Sequence, residues 1–190
     1  KELTIDLNGQ TISMPNDTAG DGVFHVVAGG ILTLEGEGTI NGVGNTDYDM
    51  AIWADGGEVI INGGTYTNVG ATGANPSQFD LIYVKNGGSV TINGGTFISE
   101  TPKWTLNVND SNGGTITVKG GRFYKYNPAE SATENPVANF VLDGYCAALD
   151  NEGYYVVVDF TASPALPKEL DRRLKISDNV MRHIIIADAK

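Results

Sequence analysis

A nine-residue unit that recurs along the chain constrains the fold more than any other feature of the sequence. Its clearest copy is SVTINGGTF, and related segments precede and follow it. The copies are Leu3–Ile12, Leu32–Ile40, Glu58–Tyr66, Ser89–Phe97 and Thr115–Phe123. Their last residues are 28, 26, 31 and 26 residues apart. A period of this size is typical of a solenoid, in which each repeat buries its apolar side against the neighbouring repeats.

Each repeat also contains a second apolar segment that ends on glycine. These segments are Val23–Gly30, Ala51–Gly57, Leu81–Gly88, Leu106–Gly114 and, with a single terminal glycine, Asn139–Gly144. Both types of segment alternate apolar with polar residues, which is the pattern of a strand with one buried face. We expect the Gly-Gly pairs to form tight corners between strands, because glycine adopts positive φ and allows close backbone approach.

The alternating segments predict a parallel β-helix of about five coils over residues 1–150. Apolar spacing typical of a helix does not persist anywhere in residues 1–140. If successive coils pair in register, Ile61, Ile92 and Val118 stack inside, and Tyr66, Phe97 and Phe123 form a second ladder. This pattern resembles the right-handed, single-stranded parallel β-helix family, the pectate-lyase-like group. Its glycine-rich repeats are similar to those of bacterial surface proteins and of phage fibre or head-decoration proteins.

Residues 151–190 differ in character and predict a β-α-β arrangement. Gly153–Phe160 is typical of a strand, Pro167 suits the first turn of a helix, and Asn179–Ile186 is typical of a last strand. The segment from residue 152 onward resembles the C-terminal half of bacterial ribosomal protein S6. In that family a ferredoxin-like domain binds ribosomal RNA and a partner ribosomal protein. The family's first strand and first helix are absent here, so the resemblance assigns no functional residue.

The missing first strand raises a question of pairing. In the ferredoxin-like arrangement, the first strand lies between the third and the fourth. We expect Cys146–Leu149 to act as the second strand, joined by a tight turn to Tyr154–Phe160 as the third. The tail would then dock as a cap on the last coil of the β-helix, because an open terminal coil must be covered. Direct pairing of the third and fourth strands, or a strand from another chain, are the alternatives.

The net charge of −11 is carried by the first part of the chain. Residues 1–150 contain 6 Lys and Arg against 17 Asp and Glu, whereas residues 151–190 contain 6 of each. An acidic body repels phosphate backbones, so nucleic acid is not the expected partner. No apolar run reaches the length of a membrane span. Cys146 is the only cysteine, and we expect a buried, unreactive thiol.

Clustered carboxylates, with calcium and a basic residue, are what polysaccharide lyases and hydrolases of this fold require. The candidate carboxylates are Asp47, Asp49, Asp55, Asp80 and Asp110. Asp55 and Asp110 lie near Gly-Gly corners and are the candidate calcium ligands. Arg122, however, is the only arginine before residue 172. We therefore interpret the acids mainly as solvated corner residues, assign no catalytic residue, and do not favour an enzyme.

Three aromatic residues, Trp53, Tyr83 and Trp104, are the candidate ligand-binding residues. If Ile52 and Ala54 point inward, Trp53 points outward, where it suits a carbohydrate-stacking platform or a subunit interface. His25 and His183 each stand alone in predicted strands, and we assign them to packing.

These features favour a structural or adhesive module of a phage particle or a bacterial surface, with a virion or extracellular location. The expected partners are other virion or surface proteins and host glycans, and a homo-oligomer is an open alternative. No cofactor is expected, and a calcium ion is kept only as an alternative. The rival hypotheses are a carbohydrate-active enzyme on the same fold and an S6-like module associated with the ribosome or RNA.

Overall fold

The structure is a computed structural model, and it describes only part of the chain. The described residues are 1–13, 22–43, 50–71, 79–131, 138–149, 153–158, 167, 169, 170 and 172. Two compact units are present, Lys1–Val158 and Asp159–Lys190. No helix of the described residues has the length and apolar character needed to cross a membrane.

The first unit is a β-solenoid built from three parallel sheets, as the repeats predict. Sheet A contains β1 (Glu2–Asp6), β4 (Ile31–Glu35), β7 (Glu58–Ile61), β10 (Ser89–Ile92) and β13 (Thr115–Val118). Sheet B contains β2 (Thr11–Ser13), β5 (Thr39–Asn41), β8 (Thr65–Thr67), β11 (Thr96–Ile98) and β14 (Arg122–Tyr124). Sheet C contains β3 (Phe24–Val27), β6 (Ile52–Asp55), β9 (Ile82–Lys85) and β12 (Leu106–Val108). Each turn of the solenoid therefore contributes one strand to each sheet.

The interior contains the two ladders that the sequence predicts. Ile61, Ile92 and Val118 are in register in sheet A and are fully buried. Tyr66, Phe97 and Phe123 are in register in sheet B, with ring centroids 5.1 Å and 4.7 Å apart. Burial raises the pKa of the Tyr66 hydroxyl, which donates a hydrogen bond of 3.0 Å to the carbonyl oxygen of Gly63. Stacking of like residues follows directly from in-register pairing at a strand spacing of roughly 4.8 Å.

At the Gly-Gly corners, the first glycine and the second glycine are needed for different geometric reasons. Gly56 and Gly87 have φ values of 77° and 75°, a region that residues with a side chain rarely adopt. Gly88, the second member of its pair, has an ordinary φ, but a Cβ atom there would collide with the carbonyl group of Ala54 in the preceding turn. The first glycine therefore makes the bend, and the second allows the turns to approach.

The end of the solenoid differs from the predicted fifth coil. Asn139–Gly144 does not add a strand to sheet C; Val141 instead forms a single parallel bridge with Val118 at the edge of sheet A. The described strands make four full turns, followed by β13 and β14 as part of a fifth.

A hairpin of β15 (Tyr145–Leu149) and β16 (Gly153–Val158) completes sheet B. The two strands pair antiparallel, as predicted for the second and third strands of an S6-like half-domain. The other edge of β16 pairs antiparallel with β14. A strand of the solenoid thus occupies the place that the resemblance assigns to the missing first strand. Because of this pairing, the first compact unit extends to Val158, past the boundary at residue 150 expected from composition.

The predicted burial of Cys146 is wrong, since its side chain is exposed. Cys146 lies opposite Val157, which is also exposed, on the outward side of the hairpin. Hairpin residues whose side chains point to the other side of the sheet, such as Val156, are buried in the core instead.

In the second unit, Pro167, Glu169, Leu170 and Arg172 are helical, in agreement with the predicted helix. Glu169 and Arg172 form an exposed ion pair one helical turn apart, at 2.7 Å. The predicted last strand, Asn179–Ile186, and its residue His183 lie outside the described residues.

Candidate functional site

The outer face of sheet C brings together most of the residues predicted to bind a ligand. Ile52 and Ala54 are fully buried, and Trp53 between them points outward, as the alternation predicts. Strand pairing places His25, Trp53 and Tyr83 next to one another in β3, β6 and β9. This row of side chains is called the ring row below.

The rings of His25 and Trp53 stack on each other rather than on open solvent. Their centroids are 4.0 Å apart, and their planes differ by only 2°. One face of the Trp53 indole is therefore covered by His25, and a sugar ring would have to displace the imidazole to stack there. The indole Nε1 of Trp53 is buried and has no hydrogen-bond partner among the described residues.

The other two predicted aromatic residues lie in different settings. The Tyr83 hydroxyl accepts a hydrogen bond of 2.7 Å from the side-chain amide of Asn109. Trp104 is not in the ring row, because it ends a short 3-10 helix, Pro102–Trp104, that precedes β12. The ammonium group of Lys103 lies 5.7 Å from the centre of the Trp104 ring. The structure thus brings together Trp53 and Tyr83, and Trp104 occupies a separate element.

Asp55, a predicted calcium ligand, is held by a cross-coil network of polar side chains. Its carboxylate lies 3.1 Å from Nε2 of His25 and accepts a hydrogen bond from the side-chain amide of Asn86. The Asn86 amide oxygen accepts in turn from the Asn112 side chain. Partial burial raises the pKa of Asp55, but the hydrogen bonds from Asn86 and His25, together with the charges of His25 and Lys85, outweigh burial and hold the pKa below its ordinary value.

Asp55 and Asp110, the two predicted calcium ligands, lie at the ends of strands that are two positions apart in sheet C. Lys85 in β9 lies directly beside Asp55, and Asp110 follows β12, the next strand along the sheet. Two strand spacings, roughly 10 Å, therefore separate the backbone at these two positions. Among the residues that the structure describes, no group of three or more His, Cys, Asp or Glu side chains is placed to hold a metal.

The remaining candidate acids lie elsewhere. Asp80 precedes β9 and is half-buried, and its backbone carbonyl accepts a hydrogen bond from the Asn68 side chain. Asp47 and Asp49 lie outside the described residues. The site residues predicted from sequence therefore stay predictions.

Sequence reasoning assigned His25 to packing and did not consider Asn86. Both belong to the network around Asp55. A usable signal was present for His25, because it holds the same position in Val23–Gly30 that Trp53 holds in Ala51–Gly57. No comparable signal exists for Asn86, since it lies at a corner with a φ of 53° and its neighbours depend on the turn geometry.

Asp55→Asn is expected to reduce the loss of stability in acid. The folded state lowers the pKa of Asp55, so this carboxylate stabilises the fold above its unfolded pKa of roughly 3.9. That contribution disappears as the pH falls through the lower, folded pKa. Melting temperatures measured from pH 6 down to about pH 2.5 should fall less steeply for Asp55→Asn than for the natural chain. Asp110→Asn serves as a control, and an equal effect of both substitutions would contradict the role of the network.

The family model described as ribosomal protein S6 matches residues 134–187. This range begins before the hairpin of β15 and β16 and continues into the second compact unit. It covers 54 of the 190 residues. The match thus supports the S6-like segment, and it starts earlier than residue 152, where the sequence resemblance was expected to begin.

Curated relatives match over about a fifth of the chain. The small ribosomal subunit protein bS6 of Clostridium kluyveri is 60% identical over 40 residues, which is 21% of this chain and 42% of that protein. The bS6 protein of Clostridium perfringens is 54% identical over 44 residues, 23% of this chain and 46% of that protein. The bS6 protein of Alkaliphilus oremlandii is 64% identical over 36 residues, 19% and 38% respectively. The chain spans less than half the length of these relatives. No solved structure matches the chain.

Proposed function

We propose that residues 1–158 form a structural or adhesive module, carried on a phage particle or on a bacterial surface. The observation that carries this proposal is the in-register solenoid itself, whose repeats stack into continuous ladders inside and outside. The repeats are similar to those of bacterial surface and phage fibre or decoration proteins on the pectate-lyase-like scaffold. The expected mechanism is passive, with a stiff body that presents its outer faces and loops.

Contacts between outer side chains support a stiff body. Asn93 donates a hydrogen bond of 2.8 Å to the side chain of Asn62 in the preceding turn. Asn86 connects Asp55 to Asn112 across three successive turns. These hydrogen bonds join the side chains of successive turns, in addition to the backbone pairing between strands. They therefore resist bending of the stack.

A second candidate function is association with the small ribosomal subunit, which the family match over residues 134–187 favours. Two features weigh against it. The place of the first S6 strand is taken by β14 of the solenoid. The negative charge of the chain is also carried by residues 1–150, and it would repel RNA.

A fractionation experiment separates the two candidates. Cells of the source organism would be divided into ribosomal, surface and particle fractions, and peptides from both halves of the chain would be quantified by mass spectrometry. We expect peptides from Glu58–Tyr66 in the surface or particle fraction. Their co-sedimentation with small subunits at high salt would contradict the structural proposal and support ribosome association.

A further inference from the structure

A cleft of about 290 Å³ lies at the rim of sheet B. It is lined by Val69, Ile98, Ser99, Glu100, Pro102, Tyr124 and Lys125. Ile98 and Tyr124 are neighbouring outward residues of β11 and β14, and the other lining residues follow β8, β11 and β14. The cleft therefore lies where the outer face of sheet B meets the adjoining corner of the solenoid. Its volume is near the lower end of the range for small-ligand sites, and its lining is of the usual kind, mainly apolar with a few polar groups.

The polar and aromatic groups of the cleft are fixed by contacts. The Glu100 carboxylate accepts a hydrogen bond of 2.7 Å from the backbone N–H of Gly70 through one oxygen. The guanidinium carbon of Arg122 lies 4.5 Å from the centre of the Tyr124 ring, which holds the ring in place. Lys125 has a φ of 52°, a strained value for a residue with a side chain. Backbone strain of this kind concentrates at binding sites, where the surrounding structure supports it.

The face that leads into the cleft carries no charge over four strands. The outward residues of β2, β5, β8 and β11 are Thr11, Ser13, Thr39, Asn41, Thr65, Thr67, Thr96 and Ile98. The outer faces of the other two sheets carry acids, such as Glu35 on sheet A and Asp55 on sheet C. In a chain with a net charge of −11, a face without acids allows a neutral partner to approach, whereas the negative charge of the whole chain repels an acidic polymer.

We infer that this cleft, together with the uncharged face of sheet B, binds a neutral polysaccharide chain. Hydroxyl and amide groups in register, spaced by roughly 4.8 Å, can exchange hydrogen bonds with a polymer of repeating hydroxyl groups. Tyr124 supplies an aromatic surface for a sugar ring, and the fixed Glu100 carboxylate accepts from sugar hydroxyls. The inference deepens the adhesive role proposed above and rests on it. It places the ligand on sheet B rather than on the ring row of sheet C.

A second copy of the chain fits this surface less well. Seven strands spaced by about 4.8 Å, with two or three outward residues each, offer only a few hundred Å². A stable protein interface buries roughly 800 Å² on each partner. A single extended polymer chain needs no such area, and it can follow the row of strands into the cleft.

The test is native affinity electrophoresis of the full chain in gels that contain hydroxyethyl cellulose, glucomannan or, as an acidic comparison, polygalacturonate. We expect retardation by at least one neutral polymer and none by polygalacturonate. Tyr124→Ala should weaken binding about tenfold or more, whereas Tyr83→Ala in the ring row should leave it unchanged. Thr96→Glu on sheet B should weaken binding, and Thr91→Glu, which faces outward from sheet A in the same turn, should not.

Melting temperatures of all four variants show whether each one folds. No retardation by either neutral polymer would overturn the inference. Equal loss of binding in Thr96→Glu and Thr91→Glu, or loss in Tyr83→Ala alone, would also overturn it. Recovery of the protein in the surface or particle fraction, without binding to the neutral polymers, would refute only the sheet B site. Recovery in the ribosomal fraction would instead refute the adhesive role itself.

Discussion

Ile92→Asp is expected to lower the free energy of unfolding by about 4 kcal/mol or more. Ile92 is fully buried in β10, and strand pairing places it between Ile61 and Val118. A carboxylate at this position would be unpaired among aliphatic side chains of three successive turns. Either the charge is buried at high cost, or the stack opens locally. Chemical denaturation followed by circular dichroism measures the difference.

Two controls identify the cause of this effect. Thr91→Asp places the same charge on the outer face of the same strand and should cost no more than about 1 kcal/mol. Asp110→Asn, at the surface beyond β12, should cost roughly 0.5 kcal/mol or less. If Ile92→Asp and Asp110→Asn proved equally destabilising, the assignment of inward and outward positions in the repeat would be wrong.

Removal of the hairpin is expected to have the second large effect. A chain that ends at Gly144 lacks β15 and β16, so the edge of β14 is left without its partner strand. The removed part includes Val156, which is buried in the same core as Phe123. Loss of this burial and of the strand pairing should lower the melting temperature by about 5 °C or more. The exposed edge of β14 should also promote self-association, seen as a higher mass in light scattering.

A second truncation separates the hairpin from the rest of the S6-like segment. Deletion of residues 161–190 leaves both strands of the hairpin in place. The difference in melting temperature and in mass between a chain that ends at residue 160 and one that ends at residue 144 therefore measures the contribution of the hairpin. Unchanged melting and unchanged mass in the shorter chain would show that β15 and β16 do not act as a cap.

The fold of the first unit could be predicted because the repeats carry three independent signals. The alternation assigns strands, the period assigns a solenoid, and the glycine pairs mark the corners. In-register pairing of equivalent segments then fixes the two internal ladders, such as Tyr66, Phe97 and Phe123, without any knowledge of distant contacts. The candidate site was less predictable, since the network around Asp55 joins residues from corners of different turns.

What the sequence by itself determined is the set of strands, their inward and outward residues and the stacking of successive turns, because each of these follows from local periodicity. Only the tertiary structure decided how the solenoid ends. Asn139–Gly144 has the alternation of a fifth segment of sheet C, yet it bridges sheet A at Val118. The S6-like hairpin pairs with β14 because an unpaired strand edge accepts any strand of suitable geometry. Backbone pairing depends little on side-chain identity, so the S6-like topology predicted docking on the last coil but not which strand of that coil is the partner.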